Sequence, residues 1–167
     1  KKHAPLFDSV GLSIVQPVMG CSEIINQKIV DDSGFGDFAQ SCLRSDAGNT
    51  CGQCWKCFRK NSIRGHKISI SREIDTFLKQ PKLKMAASTI YSIKRIKHID
   101  QLLYKEIIEK YPTISSLINE DVDFLESFYS PALELIPEKY RAYVKSRLAI
   151  YGMKSNTNNS IESFKLY

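Results

Sequence analysis

The chain has 167 residues, 43% of them hydrophobic and 25% charged, a balance that suits one globular domain with an appended lobe. No apolar run approaches bilayer length and no signal peptide is visible, so no membrane partner is expected. The net charge is +6, and the cysteines number five, an odd count that clusters at metal spacing. That pattern points to a reducing cytoplasm and a metal, not to a secreted disulfide framework.

In chain order, the opening Lys1-Lys2-His3-Ala4-Pro5 carries no initiator Met, and a fragment cut from a longer protein is expected. Residues 10–18, VGLSIVQPV, read as a buried strand closed by Pro17. Ser22 is the expected N-cap of a helix whose stripe is Ile24, Ile25, Ile29 and Val30, and Cys21 beside it reads as a small buried hydrophobe. Asp31 to Gly36 form a loop, with Phe35 and Phe38 expected to pack as the chain approaches Ser41.

The densest chemistry lies between Gln40 and Arg64. Cys42 is followed after eight residues by Cys51, and then Cys54 and Cys57 complete a C-x2-C-x2-C run. Thiolates at this spacing on a tight turn, with Gly52 to let the backbone reverse, can aim four sulfurs at one centre. The expectation is a zinc site with no open position, hence structural and not catalytic. Trp55, Phe58 and Ile63 then share a short helix with Lys56, Arg59 and Lys60, closed by Gly65. Such aromatics either cover the metal site or stack on bases.

From Ile68 onward helical periodicity dominates. Helices are expected around Ser71–Leu78, Met85–Ile96, Leu102–Ile108 and Glu138–Met153, with one or two short ones between Leu117 and Phe128. The last opens at Pro137 and carries the stripe Tyr140, Tyr143, Val144, Leu148 and Tyr151. Residues 155–160, SNTNNS, read as a loose polar tail. His66 reads as a loop residue or a replacement ligand, and Glu120, Asp121 and Asp123 as a solvated helix start or a cation site.

Charge is uneven. No acid occurs between Ala47 and Arg72, nor between Lys82 and Ile99, while the second run holds Lys84, Lys94, Arg95 and Lys97. The bases either offset a four-thiolate centre or present an anion-binding face to RNA or nucleotide phosphates.

Pro17-Val18, a short helix with Glu23 and Ile24, then Ser41-Cys42 and Cys51-Gly52-x-Cys54-x-x-Cys57-x-Arg59 together resemble the C-terminal part of the 7-cyano-7-deazaguanine synthase family. That family belongs to the PP-loop ATPases. The resemblance spans about Gly11 to Gly65 and implies zinc ligation by Cys42, Cys51, Cys54 and Cys57. It also implies a parent enzyme that adenylates a substrate with ATP and releases pyrophosphate. The family's Ser-Gly-Gly-x-Asp-Ser phosphate loop is absent from these residues, and the family normally ends soon after its zinc motif. ATP would therefore enter only through an N-terminal ATPase part, the implied partner of this chain, which has no catalytic residue of its own. Ser41, Arg44 and Arg59 stand where substrate contacts would fall, although the arginines read equally well as solvated or as donors to the sulfurs.

The expected fold is α+β and mostly α. Residues 1–66 would end an α/β ATPase-like domain with its zinc knuckle, 67–154 would form a helical lobe, and 155–167 a tail. The alternative is a zinc-containing nucleic-acid-binding or protein-interaction module.

Overall fold

The computed structural model describes residues 7, 9–11, 15–46, 48–83, 85–151 and 155–156. The described chain is mostly helical: α1 (Glu23–Asp32), α2 (Trp55–Arg64), α3 (Arg72–Leu78), α4 (Ala86–Ile99), α5 (Gln101–Lys110), α6 (Pro112–Leu117) and α7 (Glu138–Ile150). Tight 3-10 turns cover Gly36–Phe38, Asp123–Glu126 and Ser130–Leu135. The described strands are two residues long each, β1 (Phe128–Tyr129) and β2 (Ser155–Asn156), paired in parallel.

The helix starts follow from short polar side chains that accept otherwise orphaned amides. Ser22 accepts from Ile25 N at 3.2 Å, Ser71 from Ile74 N at 3.2 Å, and Asp100 from Leu103 N at 2.9 Å. Gly65 ends α2 in the left-handed region at φ 75°, where a residue without Cβ carries no steric penalty. Pro112 sits in the first turn of α6, a position that needs no amide hydrogen.

The main core gathers on α4, which packs against α2 and α5. Ile90, Ile93 and Ile96 on α4 meet Ile24, Phe58, Ile74, Leu78, Ile107, Tyr111 and Ile114, all essentially inaccessible to solvent. Each such isoleucine contributes about 1.5–3 kcal/mol relative to an exposed one. Residues from both sides of position 66 share this core. Tyr111 keeps its ring inside and donates its hydroxyl to Asp75 Oδ1 at 2.8 Å. A second, smaller cluster joins Ile25, Phe128 and Leu148, with Cys21, Val144 and Tyr151 packed around it. Cys21 thus behaves as the half-buried small hydrophobe the sequence suggests, and burial pushes its thiol pKa up.

Four expectations are corrected. No strand forms in the described parts of residues 10–18, because Val15–Gln16 are irregular and 17–20 form a turn. There, Met19 N bonds Gln16 O at 3.1 Å and Cys21 N bonds Val18 O at 2.9 Å, so local turns take the groups a partner strand would need. Residues 12–14 lie outside the described set. Phe35 and Phe38 do not pack; they are 69% and 83% exposed. On α7 only Val144, Leu148 and the following Tyr151 face the core, while Tyr140 and Tyr143 point to solvent. That helix ends at Ile150, Met153 being outside the described residues. The polar tail contributes Ser155–Asn156 to the short parallel ladder. No described helix is long and apolar enough to cross a membrane.

Candidate metal centre

Cys42 arrives on an irregular segment, Cys51 and Cys54 lie on a turn, and Cys57 projects from the first turn of α2. Gly52, between the first two of the run, adopts φ 66°, as the sequence requires of a sharp reversal. The chain thereby brings one sulfur from each of Cys42, Cys51, Cys54 and Cys57 within 4.8 Å of the others. Individual Sγ–Sγ separations are 3.9 Å for Cys42–Cys54, 3.8 Å for Cys51–Cys57 and 3.5 Å for Cys54–Cys57. All four thiols are free, and three of the four residues are buried. Four convergent sulfurs with no disulfide can hold a single tetrahedral metal ion.

The electrostatics of the sulfurs differ. Backbone amides of Cys51 and Arg44 donate to Cys42 and hold its pKa well below the ordinary thiol value. Cys57 is pushed up by burial and by the neighbouring sulfurs. Several thiolates in so small a volume repel one another, and a divalent cation is the counter-charge that relieves them.

The loop between Cys42 and Cys51 is organised by a residue that spacing does not reveal. The Gln40 carboxamide donates to Cys42 O at 2.8 Å and to Asn49 O at 2.7 Å, and accepts from Gly48 N at 2.7 Å. One side chain therefore bridges the loop base. Glu73 is the second such residue. From α3 it accepts the Trp55 amide at 3.3 Å, capping the N-terminus of α2, and it pairs with Arg44. Ser71 adds a bond to Gln53 O at 2.6 Å, so the start of α3 is tied to the cysteine turn at two points. Trp55 completes the junction by stacking on Phe77 at 3.7 Å between centroids.

The other residues marked in the sequence fall in different places. Ser41 is half-buried next to Cys42. Arg44 is exposed and lines a cavity of about 290 Å³ with Leu43, Trp55, Lys56 and Glu73, against Cys42 and Cys54. Arg59 is buried at 4% exposure, paired with Glu23 on α1, its guanidinium carbon 5.6 Å from the Trp55 ring centroid. Desolvation lowers its pKa and Glu23 opposes that shift. His66 is exposed and stands outside the four-residue metal-capable group. Asp121 accepts the Asp123 amide at 2.9 Å beside the exposed Glu120, the geometry of a solvated turn.

Fold and site together define a predominantly helical protein built around a closed four-thiol centre. The chain belongs to DUF6395, a family of unknown function, whose profile matches residues 2–165. No curated protein and no solved structure matches it.

Proposed function

We propose that Cys42, Cys51, Cys54 and Cys57 bind one zinc ion that acts as a structural staple. The observation that carries this reading is the sulfur geometry. A zinc–sulfur bond of about 2.3 Å gives tetrahedral edges of about 3.8 Å, against 3.5, 3.8 and 3.9 Å for three of the sulfur pairs and no more than 4.8 Å for the others. Four protein ligands leave no position for water, so the ion would supply no Lewis-acid chemistry. Its work would be to fix the Gln40–Arg64 segment and, through Ser71 and Glu73, the start of the helical lobe. A four-thiolate site needs its cysteines reduced, which fits a cytoplasmic protein.

The same reading makes this chain the zinc-bearing C-terminal region of a PP-loop ATP-pyrophosphatase-type enzyme. The support is the Ser-Cys and Cys-Gly contexts of a C-x8-C-x2-C-x2-C run. The parent would adenylate its substrate with ATP, and this region would brace the N-terminal ATPase part. Arg44, paired with Glu73 but exposed beside the centre, is better placed for a substrate contact than Arg59, which is buried against Glu23.

Elemental analysis of the purified, reduced chain tests the metal: one zinc per chain is expected, and iron or a sub-stoichiometric metal content refutes it. The parent enzyme is tested separately by the coding sequence upstream, where lack of a Ser-Gly-Gly-x-Asp-Ser-like run ends the PP-loop assignment. A second reading, a nucleic-acid-binding zinc module, is favoured by Lys56 and Arg72, exposed and outside any ion pair among the described residues. It requires RNA or DNA affinity that falls steeply with salt.

A further inference from the structure

We infer that the cavity between α4, α5 and the end of α6, remote in sequence from the cysteines, is a phosphate-binding site. It is an open groove of about 320 Å³ lined by Lys94, Lys97, His98, Tyr104, Ile118 and Asn119. Its origin is visible in the second acid-free run. Lys94, Lys97 and His98 occupy positions i, i+3 and i+4 of α4, so one helix face carries all three.

The elements packed against that face add donors instead of counter-charges. Tyr104 comes from α5 and Asn119 from the turn after α6, bringing a phenol and a carboxamide to the same space. No carboxylate side chain lines the cavity. Lys94 Nζ donates to a neutral acceptor, the Glu120 carbonyl, at 2.6 Å. Lys97 lies over the Tyr104 ring at 5.9 Å. Two lysines, a histidine, a tyrosine and an asparagine thus line one space that holds no acidic residue. Like charges one turn apart on a helix repel, a cost an anion would reverse.

Cations in a last helical turn are favoured by the helix dipole alone, and that accounts for Lys97 and His98 as residues. It does not account for Tyr104 and Asn119 reaching the same cavity from two other elements. The volume lies at the small end of the range for ligand pockets, about 300–1,000 Å³, large enough for a phosphate and part of the group it esterifies. The shared chemistry is a phosphate ester, whether of a free nucleotide or of an RNA strand.

The test uses amide chemical shifts of the isotope-labelled full chain, zinc supplied, at constant ionic strength. Inorganic phosphate should shift the amides of Lys97, His98, Tyr104 and Asn119 saturably, and chloride should not. The double variant Lys97→Gln/His98→Gln should weaken that binding by about tenfold or more while leaving shifts in α1 and α2 unchanged. AMP binding more tightly than phosphate at the same amides marks a free nucleotide as the source. A short single-stranded RNA binding more tightly than AMP there marks a polymer. Shifts spread over the basic surface, no saturation, or full binding by the double variant overturns the site. The zinc assignment is untouched by that outcome, since no ligand cysteine takes part.

Discussion

Arg59 offers the sharpest test of how α1 and α2 are joined. Its side chain is 5% exposed, and that of its partner Glu23 is 22% exposed. Glu23→Gln keeps the shape but leaves a guanidinium buried without an opposing charge. Removing one partner of a buried pair costs about 3–5 kcal/mol, and partial exposure of Glu23 puts the expectation near the lower figure. Loss of a carboxylate from the first turn of α1 adds about 0.3–1 kcal/mol through the helix dipole. Arg59→Met should cost less, about 1–3 kcal/mol, because the surviving carboxylate can reach water. The double variant Glu23→Gln/Arg59→Met removes both charges and should cost no more than Glu23→Gln alone. Urea unfolding in excess zinc provides the assay. The single tryptophan, Trp55, reports directly, since the Arg59 guanidinium lies 5.6 Å from its ring centroid. Additive losses in the double variant, or a Glu23→Gln loss below about 1 kcal/mol, would refute a coupled buried pair. Either result would return Arg59 to the set of residues free to meet a ligand.

Asp75 accepts from Lys79, Lys110 and Tyr111, and those bonds hold its carboxyl below the usual carboxylate range. A carboxyl depressed on folding adds stability above its unfolded pKa and loses it as pH falls through the folded value. Asp75→Asn should therefore lower the melting temperature at neutral pH, with the difference closing in strong acid; an unchanged gap at all pH values contradicts this. Gly65→Ala meets open space but keeps φ 75°, so chemical denaturation should show a loss of about 1–2 kcal/mol from backbone strain alone. A neutral outcome would mean the α2 cap is not held in the left-handed region. Glu73→Gln weakens the cap on α2 by about 0.5–2 kcal/mol and should speed hydrogen exchange at Trp55 and metal loss to a chelator. Unchanged rates for both would show that α3 does not brace the cysteine turn.

Local chemistry was legible where a residue type acts within a few positions. Ser22, Ser71 and Gly65 cap the helices they flank, and Gly52 turns the chain between cysteines, because each effect is set by the residue's own backbone. Cysteine spacing likewise encodes convergence, and the structure brings those sulfurs together. Illegible features depend on distant partners. An apolar run at residues 10–18 looks like a strand in isolation, yet a strand exists only through a neighbour's hydrogen bonds. Tyr140 and Tyr143 share helical spacing with Leu148, but which arc of α7 meets Ile25 is decided by residues more than a hundred positions away. Gln40 and Glu73 have no motif, since their value lies in the backbone groups they reach.

Gly20 carries a consequence for how this protein can be made. A Cβ there would sit 2.7 Å from Tyr129 O and 2.8 Å from the Ala132 Cβ, while Tyr129 N bonds Gly20 O at 2.7 Å. Ser22 also donates to the Leu125 carbonyl, across 103 positions of sequence. α1 therefore meets α2 early, through Glu23 and Arg59, but gains its second latch only from the far end of the chain. Ile25 has no lid until Phe128 and Leu148 leave the ribosome, and closing that loop costs entropy that local contacts do not offset. During that interval the four thiols are already present and able to take up metal. The cysteine turn draws its contacts from residues between Gln40 and Phe77 and so needs none of that returning end.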